Sequence, residues 1–208
     1  MKRSVPVLLA ASAIFLALPA HAQDNSATND GNWIVRVGGA VVVPTSSTGR
    51  LAGLKASVGN DTKLSISLEY LITPNWGVDA LGALPFEHEV RLDGMKAATT
   101  RQLPPTFGLN YHFMPNAIFS PFVGAGFNYT RFYSTHGAGI LSGASVNLEN
   151  SWGAAAHAGV DVKLADRWRV TADMRWIEIR SGVHVDGDYV GRARIDPFVY
   201  GLSVGYQF

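Results

Sequence analysis

The sequence predicts an all-β chain folded as an eight-stranded antiparallel transmembrane β-barrel with short periplasmic turns and long extracellular loops. Three observations predict it. Segments of about ten residues alternate between large apolar and small or polar side chains. The connections between them alternate between short and long. The composition pairs 16% charged residues with 47% hydrophobic ones, 22 glycines and 22 aromatic rings in 208 residues. An average soluble protein carries roughly 25% charged residues. A disordered chain would need low hydrophobicity and high net charge. The absence of cysteine excludes a disulfide scaffold and a thiolate metal site. A formal charge of +1 argues against nucleic acid as a partner.

The chain opens with Lys2 and Arg3, an apolar run from Val5 to Leu18, and Ala20-His21-Ala22. This is the pattern of a secretory signal peptide cleaved after Ala22, and the run is too short to span a bilayer. Residues 1–22 are therefore expected to be removed, 23–31 to form a polar periplasmic leader, and 32–208 to form the barrel. The mature chain has 186 residues and a net charge of −1. No later segment is long and apolar enough to be a spanning helix. A membrane-spanning fold must then be a closed barrel, which leaves no backbone group unpaired in lipid.

The last strand is the clearest. Phe198, Tyr200, Leu202, Val204, Tyr206 and Phe208 share one face, while Val199, Gly201, Ser203, Gly205 and Gln207 share the other. A period of two over eleven residues is a strand, and in a membrane barrel the large face meets lipid. The same alternation marks strands over Trp33–Val43, Leu64–Ile72, Trp76–Phe86, Phe107–Phe113, Trp152–Leu164 and Trp168–Trp176. Phe122–Tyr133 reads as a strand of ambiguous phase. Turns at 73–75, 114–120 and 165–167 are short; the connections 44–63, 87–102, 134–149 and 181–197 are long, polar and predicted as extracellular loops. Trp33, Tyr70, Trp76, Tyr111, Phe113, Trp168, Tyr206 and Phe208 cluster toward the short turns. Phe86, Trp152, Trp176 and Phe198 cluster toward the long loops. Two such belts are expected at the two membrane interfaces.

The inward face divides into two chemistries. Its periplasmic half carries Arg36, Lys163, Arg169 and Arg175 with Glu69, Asp79, Asp161 and Asp173, and His112 and His157 point the same way. Charges in a narrow interior must pair, which predicts a salt-bridged periplasmic plug. The outer half offers Ala40, Val42, Leu81, Ala83, Ala155 and Ile177 as an apolar lumen. Glu178 falls out of phase there, with Ile177 and Ile179 inward, which predicts a bulge or the membrane boundary. A solute entering such a lumen must leave sideways. Pro85, Pro104 and Pro105 lack an N–H and lie on neighbouring strands, so a lateral exit is expected there, beside Leu81 and Leu84. The same prolines equally suit plain strand ends.

The chain resembles the OmpW family of outer-membrane proteins. The resemblance is carried by Trp33-Ile34-Val35-Arg36-Val37-Gly38, by Asn75-Trp76-Gly77-Val78, and by Leu84-Pro85-Phe86-Glu87-His88. It continues through Leu103-Pro104-Pro105-Thr106, the stretch Pro121 to Thr130, Ser151-Trp152-Gly153-Ala154-Ala155, Asp196-Pro197-Phe198 and the terminal Gly205-Tyr206-Gln207-Phe208. It implies a Gram-negative outer-membrane address and a narrow, largely hydrophobic lumen. It further implies a role in passage of small hydrophobic molecules, with outer-membrane lipids and lipopolysaccharide as surroundings.

Catalysis is weighed because some eight-stranded outer-membrane barrels process lipid A. The nearest local set, Ser181, His184 and Asp186, has spacings that any polar loop produces. Neither an enzyme nor a cofactor is expected. The second functional reading is a non-transporting interaction barrel, whose Arg50, Lys55, Lys96, Arg101 and Arg192 meet lipopolysaccharide phosphates or outside partners.

Overall fold

The computed structural model describes residues 31–45, 50–51 and 53–208. The expected signal peptide and residues 23–30 of the expected leader lie outside the described residues. The strands are β1 (Trp33–Val43), β2 (Arg50–Leu51), β3 (Leu54–Val58), β4 (Asp61–Leu71), β5 (Trp76–Ala83), β6 (Phe86–Leu92), β7 (Met95–Leu103) and β8 (Thr106–His112). They continue as β9 (Phe119–Gly137), β10 (Val146–Leu148), β11 (Ser151–Lys163), β12 (Trp168–Ile177), β13 (Arg180–Val185), β14 (Asp188–Arg194) and β15 (Phe198–Gln207). A 3₁₀ turn at Gly139–Leu141 follows β9.

Eight of these strands close into an antiparallel barrel in the order β1, β4, β5, β8, β9, β11, β12, β15. Closure is made by β1 on β15, from Ile34 opposite Gln207 to Val43 opposite Phe198. No strand edge is left facing lipid at this level, which is what a strand needs to cross a bilayer. The outward face carries Val37, Leu64, Ile66, Leu68, Val78, Leu109, Leu202 and Val204, all exposed. Their exposure reflects a wall meant for hydrocarbon rather than water.

Ring pairs mark the periplasmic interface: Trp33 on Tyr70 at 4.8 Å, Trp76 on Tyr111 at 4.9 Å, and Trp168 on Tyr206 at 4.9 Å. Trp152 with Phe127 and Tyr129, and Phe198 with Tyr200, mark the outer one. Phe86 departs from the expected belt. It is buried, because the chain changes phase at Leu84-Pro85 and turns Phe86 inward while Leu84 stays 55% exposed.

Above the outer belt the predicted loops are largely strands. β6 and β7 form a hairpin whose turn, Asp93-Gly94, has two positive φ angles. β13 and β14 form another around Asp186-Gly187 with the same signature. Both are Asp-Gly turns whose twist matches that of the flanking strands. β9 runs 19 residues, far enough to pair with β8 in the barrel and with β7 above it. β3 and β2 extend that upper sheet, and β10, β13 and β14 make a second. The two sheets bury one apolar cluster, including Leu51, Ala56, Leu92, Ala98, Val146, Val183 and Ile195. The phase of the ambiguous strand is also resolved: Phe122, Asn128, Thr130 and Phe132 are buried and point inward.

The change of tier has a physical cause at each break. Between β5 and β8 the ladder stops at Leu81 opposite Thr106 and resumes at Phe86 opposite Gln102. Gly82, Ala83, Leu84 and Pro85 therefore face Leu103, Pro104 and Pro105 with no ladder pair. The outer flanks stay bonded, through Leu84 N to Leu64 O at 2.9 Å and Tyr129 N to Pro105 O at 3.0 Å. Between β12 and β13, Ile177 and Ile179 are both buried, and the Ile179 N–H donates to Asp196 Oδ1 at 3.0 Å. This is the slip that the alternation predicts.

Candidate functional site: a two-chambered lumen

The lowest level of the lumen is ionic. Arg36, placed inward by the alternation of β1, donates to Glu69 Oε2 at 2.7 Å, Asp161 Oδ2 at 3.0 Å and Thr171 Oγ1 at 3.1 Å. Glu69 Oε1 also accepts from Asn110 Nδ2 at 2.7 Å and lies 2.9 Å from His112 Nε2. Asp161 also takes the Thr171 hydroxyl at 2.5 Å and Arg169 Nη1 at 3.3 Å. Arg169 Nη2 donates to Gln207 Oε1. Glu69 and Asp161 have no accessible surface. Every oxygen of these two carboxylates is hydrogen-bonded, the condition under which buried charge is tolerated. Phe122 lies over the network, with the Arg36 guanidinium 5.9 Å from its ring centre and the His112 ring tilted against it at 5.3 Å.

A second pair stands beside it: Arg175 Nη2 donates to Asp79 Oδ2 at 3.0 Å. Of the eight charges read from the sequence, six thus form this floor. Lys163 and Asp173 do not join it. Lys163 lies at the periplasmic mouth and Asp173 at the wall of a small space that Leu81 also lines, and among the described residues neither makes an ion pair within 4 Å. Lys163 falls at the periplasmic end of the set, whereas Asp173 sits on β12 between Thr171 and Arg175, in the gap between the two ionic groups. Asn110, Thr171, Phe122 and Gln207 complete the floor; being uncharged, they carry no sequence signal that ties them to the ion pairs.

Above the floor the expected apolar lumen is a throat. Ala40, Val42, Ala155 and Ile177 are buried, and Leu81 and Ala83 half-buried. All but Ala155 line a space of only about 20 Å³, filled from above by Phe86 and Ile179. Pro104 lines the same space, so the throat abuts the interrupted ladder.

The larger apolar chamber lies higher, inside the tier predicted as loops. About 240 Å³ is enclosed by residues such as Leu51, Val58, Leu92, Ala97, Ala98, Val183, Val190 and Ile195. Its polar lining is limited to His88 and Thr100. His88 is held by Gly59 O at 2.8 Å from Nδ1 and by Gln102 Nε2 at 3.0 Å from Nε2. Nδ1 must donate to the carbonyl and Nε2 must accept from the amide, which fixes a neutral ring. Burial pushes its pKa down. Period-two runs such as Val183-His184-Val185, and the two Asp-Gly turns, are the sequence signals for the strands that enclose it, not for the space itself.

The polar residues of the loops are placed apart. Ser181 donates to Glu149 O at 2.6 Å, His184 Nε2 lies 3.0 Å from Glu149 Oε1, and Asp186 accepts from Ser145 N at 2.8 Å. No Ser–His contact is assembled among these residues. The basic set also lies on strands: Arg50 on β2, Lys55 on β3, Lys96 and Arg101 on β7 and Arg192 on β14. Lys96 pairs with Glu89 at 3.2 Å and Arg101 with Glu87 at 3.0 Å.

Comparison with known proteins agrees with this architecture. Outer membrane protein W of Vibrio cholerae is 34% identical over 197 residues, covering 88% of this chain and 91% of its own. The crystal structure of the outer membrane protein OprG from Pseudomonas aeruginosa matches with a TM-score of 0.74 at 33% identity, over 86% of this chain and 96% of that one. The solution structure of Escherichia coli outer membrane protein W matches with a TM-score of 0.62 at 35% identity, over 86% and 98%. With the OmpW family model matching residues 29–208, and with a closed barrel belted at both interfaces, the chain belongs to the OmpW family and is a Gram-negative outer-membrane protein.

Proposed function

We propose that this barrel is a passive channel for small hydrophobic molecules, which enter the upper chamber from outside and leave sideways into the bilayer. One observation carries the reading: the apolar chamber stands directly above a throat whose wall contains the interrupted ladder between Gly82–Pro85 and Leu103–Pro105. An apolar solute gains free energy at each stage as water-exposed area is removed, on the order of 25 cal/mol per Å². The charged floor opposes the straight path, because an apolar solute there would strip buried carboxylates of their partners. Leu81, Leu84, Pro85, Pro104 and Pro105 are the proposed exit, and the Arg36 network is the proposed plug. A relative 26% identical over 166 residues bears the name "Dibenzothiophene metabolism operon protein DoxH", which supports an apolar solute.

The chain has no cysteine, so clean cross-links can be introduced. Leu81→Cys with Thr106→Cys, and Phe86→Cys with Gln102→Cys, place thiols on facing ladder positions that bracket the gap. Such positions fall within disulfide range. In cells depending on this protein for uptake of an apolar probe, oxidation should lower uptake and reductant should restore it. Uptake that ignores the redox state of a confirmed cross-link removes the lateral route. Uptake equal to that of a deletion strain removes the channel and favours the interaction barrel.

A further inference from the structure

The outer face of the upper tier is charged unevenly, and solute passage uses none of that charge. The wall made by β2, β3, β6, β7 and the top of β9 carries Arg50, Lys55, Arg91, Lys96, Arg101 and Arg131 against Glu87, Glu89 and Asp93, a net of +3. All six basic residues are exposed. On the other sheet, residues 146–149 and 178–196 carry three arginines against five acids, a net of −2. Arg180 and Arg194 stand opposite each other there, and each is answered by its own acid, Glu178 at 2.6 Å and Asp196 at 3.7 Å.

The basic wall meets the membrane at Arg131. Thr130 and Phe132 are buried, so the side chain between them points outward. Arg131 is the next outward residue after Tyr129, whose ring packs on Trp152 at 4.6 Å in the outer belt. Two residues of strand rise about 7 Å, which sets Arg131 at the level where headgroups begin. Among the described residues its guanidinium has no ion pair within 4 Å. Arg101 also points outward, between buried Thr100 and Gln102. Leu103 stands opposite Arg131 and Arg101 opposite Tyr133, so the two arginines are diagonal neighbours across β7 and β9. Such neighbours lie roughly 7–8 Å apart, within reach of long side chains. Arg101 gives only Nε to Glu87, at 3.0 Å, which leaves both Nη groups unengaged among the described residues.

We infer that Arg131 and Arg101 clamp a phosphate of the lipopolysaccharide in the surrounding outer leaflet. A phosphate monoester is acceptor-only and doubly acidic, and a guanidinium fork matches its oxygens two at a time. The leaflet presents that phosphate at the right height: its acyl chains lie against the exposed rings of Trp152 and Phe127, and its phosphates lie just above them. A free phosphate has no such tie to the belt. Arg91, Lys96 and Lys55 continue the same sign away from the membrane, toward the anionic sugars. Leu103 also borders the interrupted ladder, so the bound lipid stands at the edge of that gap. Binding there does not depend on whether a solute passes through the chamber.

The test uses the full mature chain in phosphatidylcholine nanodiscs, titrated with bisphosphorylated lipid A at low salt and read by NMR at the arginine Nε–H signals. The Arg131 and Arg101 signals should shift saturably. Arg131→Gln should weaken binding about tenfold, the loss of one charge-assisted contact, read at Arg101. Arg131→Lys should recover part of that loss, because the charge stays and the fork is gone. Arg180→Gln with Arg194→Gln should leave the affinity unchanged, and lipid A stripped of its phosphates should give no saturable shift. Binding that ignores Arg131→Gln, that falls as much in the Arg180 and Arg194 double variant, or that survives removal of the phosphates overturns the clamp. Inorganic phosphate that saturates the same signals with the affinity of lipid A overturns the leaflet as its source. Heat-modifiable gel mobility confirms that each variant is folded.

Discussion

Arg36 on β1 reaches Asp161 on β11 at 3.0 Å, across the inside of the barrel and past the two strands that separate them along the wall. The same guanidinium holds Glu69 on the neighbouring β4 at 2.7 Å. Removing it strands two buried carboxylates at once. Arg36→Met should therefore destabilise the barrel by roughly 3–5 kcal/mol. Adding Glu69→Gln and Asp161→Asn should recover part of that loss, since no uncompensated charge remains. Urea unfolding in lipid vesicles, followed by tryptophan fluorescence, measures both.

The upper chamber can be filled without touching the membrane wall. Ala98 lines it and is buried, and the 240 Å³ beside it accommodates a larger side chain. Ala98→Phe should cut uptake of an apolar probe several-fold while heat-modifiable gel mobility stays that of the unmodified protein. Unchanged uptake would place the solute path elsewhere.

His88 lies above the outer aromatic belt and is kept neutral by burial and by its two fixed partners. Its folded pKa is lowered, so the unfolded chain binds the proton more readily. Stability of the upper tier should then be full at neutral pH and fall as pH drops below the ordinary imidazole value of about 6.5. Amide exchange in β6 and β7, followed from pH 7.5 to 5, should accelerate on acidification. His88→Leu should remove that dependence.

Gly126 on β9 stands opposite Gly108 on β8. A Cβ there would run into Phe107 O, with Gly108 Cα at 2.6 Å. Gly126→Ala should cost about 1–3 kcal/mol, because the obstacle is backbone and cannot rotate away. Gly39 is the matched control: a Cβ added there meets nothing within 4 Å, and Gly39→Ala should be near neutral. Chemical denaturation of both variants separates them.

The barrel was legible because its alternation is enforced twice, by lipid outside and by a narrow interior inside. Trp76 to Leu84 and Phe198 to Phe208 show this directly. The charged floor was legible for the same reason, since Arg36 and Glu69 fall on the inward phase of strands with unbroken registers. Phe86 was misplaced because alternation carries no information past a break, and Pro85 ends one phase and starts another. The upper tier was hidden for a different reason. Its strands alternate apolar and polar residues like any water-facing sheet, so polarity read as loop, and the Asp93-Gly94 and Asp186-Gly187 turns were the better guide. The large chamber was out of reach, because a cavity depends on how two sheets meet.

β9 crosses both tiers without a break, whereas β5 and β6, β7 and β8, β12 and β13, and β14 and β15 are pairs split at the tier boundary. Phe122 in the floor and Phe132 in the upper cluster therefore ride on one continuous strand. β9 works as a keyed shaft: its period of two sets the angular alignment of chamber on barrel, while the split strands leave the remaining wall free to be rebuilt by insertion or deletion. The outer tier of such a protein can vary in size and shape over evolutionary time without disturbing the membrane seal, provided that one shaft keeps its count.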